Sequence, residues 1–258
     1  WDRMCESLFG SHPVQVVFEW NAAAHAQVNE SDPGKRAFTR SELQLFFDHA
    51  DGEVDRIRAL GRKGALPAWR DAVLFKTAYA WGLRRNEVRH LQTVDFSPNP
   101  RAREFGRFGV VAVRYGKAHR GSAHKRRGVL TVFDWAVEVM AQWVSEGLPL
   151  FGDSVIDVFP SGHGGLVAGA VGDRFRRYRE ELGLDAGLDL HSLRRSYVTH
   201  LIEDGFDPLF VQHQVGHEHA STTSLYTCVS SDFRTRSLRT ALDRSISEAM
   251  RVPGEASS

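Results

Sequence analysis

His191 and Arg194 stand three residues apart in a stretch whose apolar positions, Leu193, Tyr197 and Leu201, repeat with helical spacing. An imidazole and a guanidinium therefore project from one face of one helix. Gly205 and Pro208 close that helix and open another over 209–214, and Val215-Gly216-His217 then makes a turn that brings in a second imidazole. Tyr226 follows nine residues beyond His217, with Ser221 and Thr222 placed to cap a short helix that would carry it. A separate run, Gly82-Leu83-Arg84-Arg85-Asn86-Glu87, sets a guanidinium three positions ahead of a carboxylate that can hold it by a charge-assisted contact. Arg85 and Arg195 adjoin the two chosen arginines but point about 100° away on a helix, which makes them second choices.

These residue types suit chemistry at an anionic centre. The planar forks of Arg84 and Arg194 can each bind two oxygens of a phosphate, and neither loses its proton near neutrality. His191 and His217 can donate to the same oxygens or manage a proton. A phenol such as Tyr226 ordinarily has a pKa near 10, so only about one molecule in a thousand is phenolate at pH 7. A cationic pocket favours the anion and turns the ring oxygen into a nucleophile.

The elements that must position these groups are legible in part. Thr39 followed by Glu42 has the signature of a capping box, with Leu43, Phe46 and Phe47 as the buried stripe of the helix it starts. Pro67 opens a second helix that turns Ala72, Phe75, Ala78, Tyr79 and Gly82 to one side and delivers Arg84 at its C-terminal end. Segments 108–114 and 128–132 are short and β-branched, and read as two antiparallel strands with Lys117 where the first one ends. Asp134 caps a helix with apolar residues at Trp135, Val139, Met140, Trp143 and Val144 that stops near Gly147. Residues 155–159 suggest one more strand. The glycine-rich 162–169 lacks the Lys-Ser/Thr ending of a phosphate loop and reads as a turn. Helices are expected over 171–182 and, charged and amphipathic, over 233–250; no internal repeat is found. The expected fold class is mainly α with a small antiparallel β-sheet.

Five pieces in one order, GLRRNE at 82, GKAHRGSAHKRRGVL at 116, HSLR at 191, VGH at 215 and Tyr226, make the chain resemble the catalytic domain of the tyrosine recombinases, the phage integrase family. The likeness covers most of residues 36–240. Val215 stands where leucine is usual before Gly-His, and Ala118 where glycine is common after Gly116-Lys117; neither change removes a functional atom. The resemblance implies a site-specific recombinase or integrase of a mobile element. Tyr226 would attack a DNA phosphate, giving a 3′-phosphotyrosyl link and a free 5′ hydroxyl, and another strand's hydroxyl would reverse the step. Arg84, Lys117, His191, Arg194, His217 and Tyr226 would be catalytic and Glu87 supporting, with neither metal nor cofactor nor ATP. Lys117 would protonate the departing 5′ oxygen, although Lys125 in the same loop could also reach. The partners implied are double-stranded DNA and, on paired sites, a homo-tetramer formed from free monomers, the helix at 233–250 docking on a neighbour. By the same likeness, residues 1–35, which open on Trp1 and end in a polar linker, are the remnant of a helical DNA-clamping domain; 36–250 is the catalytic domain and 251–258 a tail.

Composition agrees in distribution rather than in total. The net charge is only +1 over 258 residues. Yet between Val113 and Val129 stand Arg114, Lys117, Arg120, Lys125, Arg126 and Arg127 with no acid among them, and Arg114, Arg120, Lys125, Arg126 and Arg127 are the expected DNA contacts. Two cysteines are too few for a disulfide framework or a zinc cluster. With no apolar span of membrane length and no secretion signal, the expectation is a soluble, cytoplasmic, nucleoid-associated protein without a membrane partner. Two other readings stay open: a relaxing topoisomerase using the same tyrosine chemistry, and a metal-dependent hydrolase built on His213, His217 and His219. The second supplies no carboxylate base and leaves Arg84, Arg194 and Tyr226 unexplained.

Overall fold

The computed structural model describes residues 35–116, 126–152, 155–161, 164–166 and 168–216. Lys117, Arg120, Lys125, His217, His219, Ser221, Thr222, Tyr226 and the expected helix at 233–250 lie outside them, as do residues 1–34. Eight-residue or longer helices dominate, and a small antiparallel sheet accompanies them, as the sequence predicts.

Helix α1 (Arg40–Ala59) starts on the expected capping box: the Thr39 side chain accepts from the Glu42 amide, while the Glu42 carboxylate accepts from the Thr39 amide at 2.9 Å. Two orphan donors of the first turn are thereby satisfied. Leu43, Phe46, Phe47, Ala50 and Val54 face inward. Helix α2 (Ala65–Ala80) begins two residues before Pro67 and is buried from Ala68 through Ala80 on nearly every side, so it is the central strut rather than a one-sided helix. The small Ala68, Ala72 and Ala78 let its neighbours approach, and large rings fill the gaps: Phe38, Phe46, Phe75, Phe175 and Tyr178 meet at centroid separations of 4.8–6.2 Å. Edge-on and tilted pairs of this kind add roughly 0.5–1.5 kcal/mol each beyond area burial.

After the short α3 (Arg85–Arg89), strands β1 (Phe96–Ser97), β2 (Val110–Val113) and β3 (Arg127–Leu130) form an antiparallel sheet in that order. The register runs from Val110 opposite Leu130 to Val113 opposite Arg127. Val111, Val113 and Val129 are buried while Ala112, Gly128 and Leu130 face outward, the period-two pattern of a sheet covered on one side. The third strand, β1, has only two residues and escaped the sequence reading.

Helix α4 (Asp134–Gln142) continues through one wider turn over Trp143–Gly147. Asp134 is its first residue and makes no side-chain cap; Phe133 occupies the cap position, so the expected capping role is corrected to an acid in the first turn. The expected strand at 155–159 reduces to a bridge between Gln92 and Asp157, with Val158 N–H donating to the Leu91 carbonyl at 2.8 Å. Strands β4 (Pro160–Ser161) and β5 (Gly164–Gly165) pair just beyond, in the glycine-rich stretch expected to be a turn. Helices α5 (Ala168–Glu181), α6 (Leu190–Glu203) and α7 (Pro208–Val215) complete the described residues.

The register of α6 is fixed by buried polar groups. Ser196 Oγ accepts from the Phe38 amide at 2.8 Å, and the His200 ring lies 3.0 Å from both the Phe38 carbonyl and the Tyr79 hydroxyl. Among the described residues no helix is long and apolar enough to cross a membrane.

Candidate active site

Arg84 owes its position to a glycine. The chain leaves α2 through Gly82 at φ 57°, a left-handed conformation that glycine adopts without penalty. A Cβ there would lie 2.5 Å from Cδ1 of the buried Tyr197 ring, so the same residue answers to close packing. The turn places Arg84 beyond the end of α2, in extended backbone at the N-cap of α3, rather than on the helix as the sequence suggests. Glu87 closes the local structure. Its carboxylate accepts from the Arg84 amide at 2.8 Å and from Arg84 Nη1 at 3.0 Å.

Arg194 comes from α6, whose start is capped by the Asp189 side chain accepting from the Ser192 amide at 2.9 Å. Arg194, Tyr197 and Leu201 share the inward face, and Arg194 is only 1% exposed. Its Nη1 donates to the Gly82 carbonyl at 2.6 Å and its Nη2 to the Val215 carbonyl at 2.5 Å. One guanidinium thus joins the turn before Arg84, helix α6 and the last residue of α7. The Glu87 carboxylate lies 3.8 Å away and supplies the opposite charge that a buried cation requires.

A third arginine completes the cluster. Arg127, the first residue of β3, donates from Nη1 and Nη2 to the two oxygens of Glu87 at 2.7 and 2.9 Å, a two-pronged contact, and from Nε to the Gln214 carbonyl at 2.9 Å. Burial alone would raise the Glu87 carboxyl; the hydrogen bonds and charge of Arg127, with the charges of Arg194 and Arg84, outweigh it and hold the pKa at about 2. Three guanidiniums around one carboxylate leave a surplus of two positive charges. A phosphodiester carries one negative charge and gathers more on its oxygens as it reacts, so the surplus has the right sign and size to stabilise that change.

The residues expected from sequence fall into three groups. Arg84 and Arg194 meet around the Glu87 carboxylate, and His191 stands half-buried in the first turn of α6, one turn ahead of Arg194. Arg114, Arg126 and Arg127, expected to touch DNA, differ: Arg126 is exposed, Arg114 pairs with Asp95 at 2.6 Å, and Arg127 is turned inward against Glu87. Lys117, Arg120, Lys125, His217 and Tyr226 lie outside the described residues. Of the proposed metal ligands His213 is exposed on α7 and the other two are not described; no group of three potential ligands occurs among the described residues.

Two kinds of contributor lie outside that reading: the inward fork of Arg127, and the carbonyls of Gly82, Gln214 and Val215. Strand alternation could have found the first, because Arg127 shares a face with the buried Val129. Backbone carbonyls carry no sequence signal.

A model of the phage integrase family matches residues 50–232. The chain is 30% identical over 216 residues to tyrosine recombinase XerD of Ralstonia nicotianae, covering 82% of this chain and 65% of that protein. Against tyrosine recombinase XerC of Halalkalibacterium halodurans it is 30% identical over 172 residues, covering 63% and 51%. It therefore spans roughly half to two-thirds of the length of these relatives. Among solved structures, XerH site-specific recombinase bound to palindromic difH substrate superposes with a TM-score of 0.59 at 21% identity over 90% of this chain and 59% of that one. XerA recombinase gives 0.57 at 20% identity over 80% and 64%. The mainly α architecture with its small antiparallel sheet is thus that of the recombinase catalytic domains, and with the matched residues taking in Arg84, Arg194 and Tyr226, the chain belongs to the phage integrase family.

Proposed function

We propose that the protein is a site-specific DNA recombinase that cuts and rejoins double-stranded DNA through a 3′-phosphotyrosyl intermediate. The Tyr226 phenolate attacks the scissile phosphorus, the 5′ oxygen leaves with a proton supplied by Lys117, and a 5′ hydroxyl of a partner strand later displaces the tyrosine. One phosphate ester replaces another at each step, so no external energy source enters. Arg84 and Arg194 neutralise the phosphoryl oxygens, and His191 and His217 donate to them or manage the phenol proton. Glu87 orients the two forks. Residues 36–250 form the catalytic domain in this reading, residues 1–35 belong to a DNA-clamping domain and its linker and 251–258 to a tail; exposed Arg126, with Arg114, Arg120 and Lys125, lies along the DNA backbone. Four protomers act on two paired sites in the cytoplasm, at the nucleoid.

The observation that carries this reading is the meeting of Arg84, from the turn after α2, and Arg194, from α6, at the one carboxylate of Glu87. Family membership supports Tyr226 as the nucleophile.

The test is covalent trapping. The full-length protein, incubated with a nicked duplex taken from its genomic neighbourhood, should give a denaturation-resistant protein–DNA adduct whose yield is unchanged by a chelator. Tyr226→Phe should bind the duplex and give none. An adduct of undiminished yield from Tyr226→Phe, or one abolished by the chelator, overturns the reading.

A further inference from the structure

Arg127 sits in the basic run that the sequence assigns to DNA, but its side chain is only 13% exposed and three of its donors are engaged inside the protein. Two hold Glu87, and the third, Nε, holds the carbonyl of Gln214 at the end of α7. The contact is close enough to dictate the neighbouring residue: Gly216 is left-handed at φ 65°, and a Cβ on it would lie 2.8 Å from Arg127 Cδ. A second tie lies three residues along the same strand. Leu130, on the free edge of β3, has its amide and carbonyl taken by the Gln214 side chain, at 2.8 Å to the amide oxygen and 2.9 Å from the amide nitrogen. An edge strand's unpaired backbone is thus satisfied by one side-chain amide. Between these two ties the last turn of α7 is fixed on β3, immediately before Val215, whose carbonyl holds Arg194, and Gly216, which precedes His217 in the sequence.

We infer that Arg127 is a positioning residue for the strand-cleavage reaction: it sets Glu87 between the guanidiniums of Arg84 and Arg194, and in the same grip sets the end of α7 from which the chain runs to His217. The inference rests on the recombinase reading above. Lysine could place a charge beside Glu87 but has no rigid fork and no separate Nε, so it cannot hold Glu87 by two prongs and the Gln214 carbonyl at once. Because Arg127 lies at the start of β3 and follows Lys117 and Lys125 closely in the sequence, the strand also links the arginine cluster to the residues expected to supply the leaving-group proton.

The experiment compares full-length wild type, Arg127→Met and Arg127→Lys on the same trapping duplex, with three measurements: cleavage rate at saturating DNA, DNA affinity against salt concentration, and thermal unfolding. A positioning role lowers the saturated rate by roughly 10–100-fold, as small misplacements of reacting groups do. It leaves the dependence of affinity on salt as in wild type. Arg127→Lys, which keeps the charge, should remain folded and recover only part of the rate, and it serves as the readout if Arg127→Met does not fold. A saturated rate equal to wild type in a folded variant overturns the inference in favour of a buried pair that serves stability alone. A salt slope lower by about one, with the saturated rate intact, overturns it in favour of a direct phosphate contact. Absence of any adduct from wild type would instead count against the recombinase reading, and so separates the two failures.

Discussion

Replacing Glu87 by glutamine should be among the most damaging conservative changes in the chain. Glu87 is 2% exposed and accepts from Arg127 by two bonds, from Arg84 Nη1 and from the Arg84 amide, with Arg194 at 3.8 Å. Glutamine keeps the shape, but its amide turns two hydrogens toward guanidinium donors and removes the carboxylate that these three cations share. A carboxyl held at about 2 against its ordinary 4.5 contributes on the order of 3 kcal/mol at neutral pH. Removing one partner of a buried ion cluster costs about 3–5 kcal/mol by general experience, so the two approaches agree. For a domain of this size each kcal/mol moves the melting temperature by about 2–4 °C, which gives an expected loss of roughly 6–20 °C at pH 7. The sign with pH follows from the depressed carboxyl. Its contribution is present above 4.5 and is lost as pH falls through about 2, so the gap between wild type and Glu87→Gln should narrow to about half or less when unfolding is followed at about pH 3. Denaturant or thermal unfolding at the two pH values decides the matter. A melting temperature within about 2 °C of wild type at pH 7, or a gap that does not narrow in acid, would refute the claim that Glu87 is the ionised centre of the cluster.

Gly82→Ala combines a left-handed φ with a Cβ driven against the Tyr197 ring, and should cost about 2–4 kcal/mol of stability, read by denaturant unfolding; a loss below about 1 kcal/mol would show that the Tyr197 ring yields. His200 is held neutral by burial, with the nearby Arg40 charge acting in the same direction, below its ordinary 6.5. The unfolded chain therefore takes up that proton first, and stability should fall as pH drops below about 6.5; His200→Gln, which does not titrate, should flatten melting-temperature profiles between about pH 7.5 and 5.5, and profiles of equal slope would count against the buried neutral ring.

Much of the architecture could be read in the sequence because it rests on local rules. The Thr39–Glu42 capping box, the strand pair flanking the basic run and the helix carrying His191 and Arg194 all depend on spacing within one segment. The elements missed or misplaced are those decided by distant partners. β1 exists because Phe96 and Ser97 find Val111 and Val110, and 155–159 forms no strand because its partner is Gln92 across a single bridge. In the site, Arg84, Glu87 and Arg194 could be chosen by residue type and spacing. Its company of basic residues points Arg127 toward DNA, whereas strand alternation turns it inward to Glu87. The carbonyls of Gly82 and Val215 that hold Arg194 belong to the backbone, and only the fold brings them there.

The central claim, that the clustered guanidiniums act by neutralising phosphate charge, is met most directly by single-turnover cleavage of a duplex in which a methyl group replaces one non-bridging oxygen of the scissile phosphate. On the ordinary duplex Arg84→Ala should lose roughly 100–1,000-fold in rate, the usual effect of removing one preorganised donor from a developing anion. On the neutral duplex the loss should shrink to about tenfold or less, since there is little charge left to stabilise. The same fold-loss on both duplexes would contradict charge neutralisation as the work of this cluster.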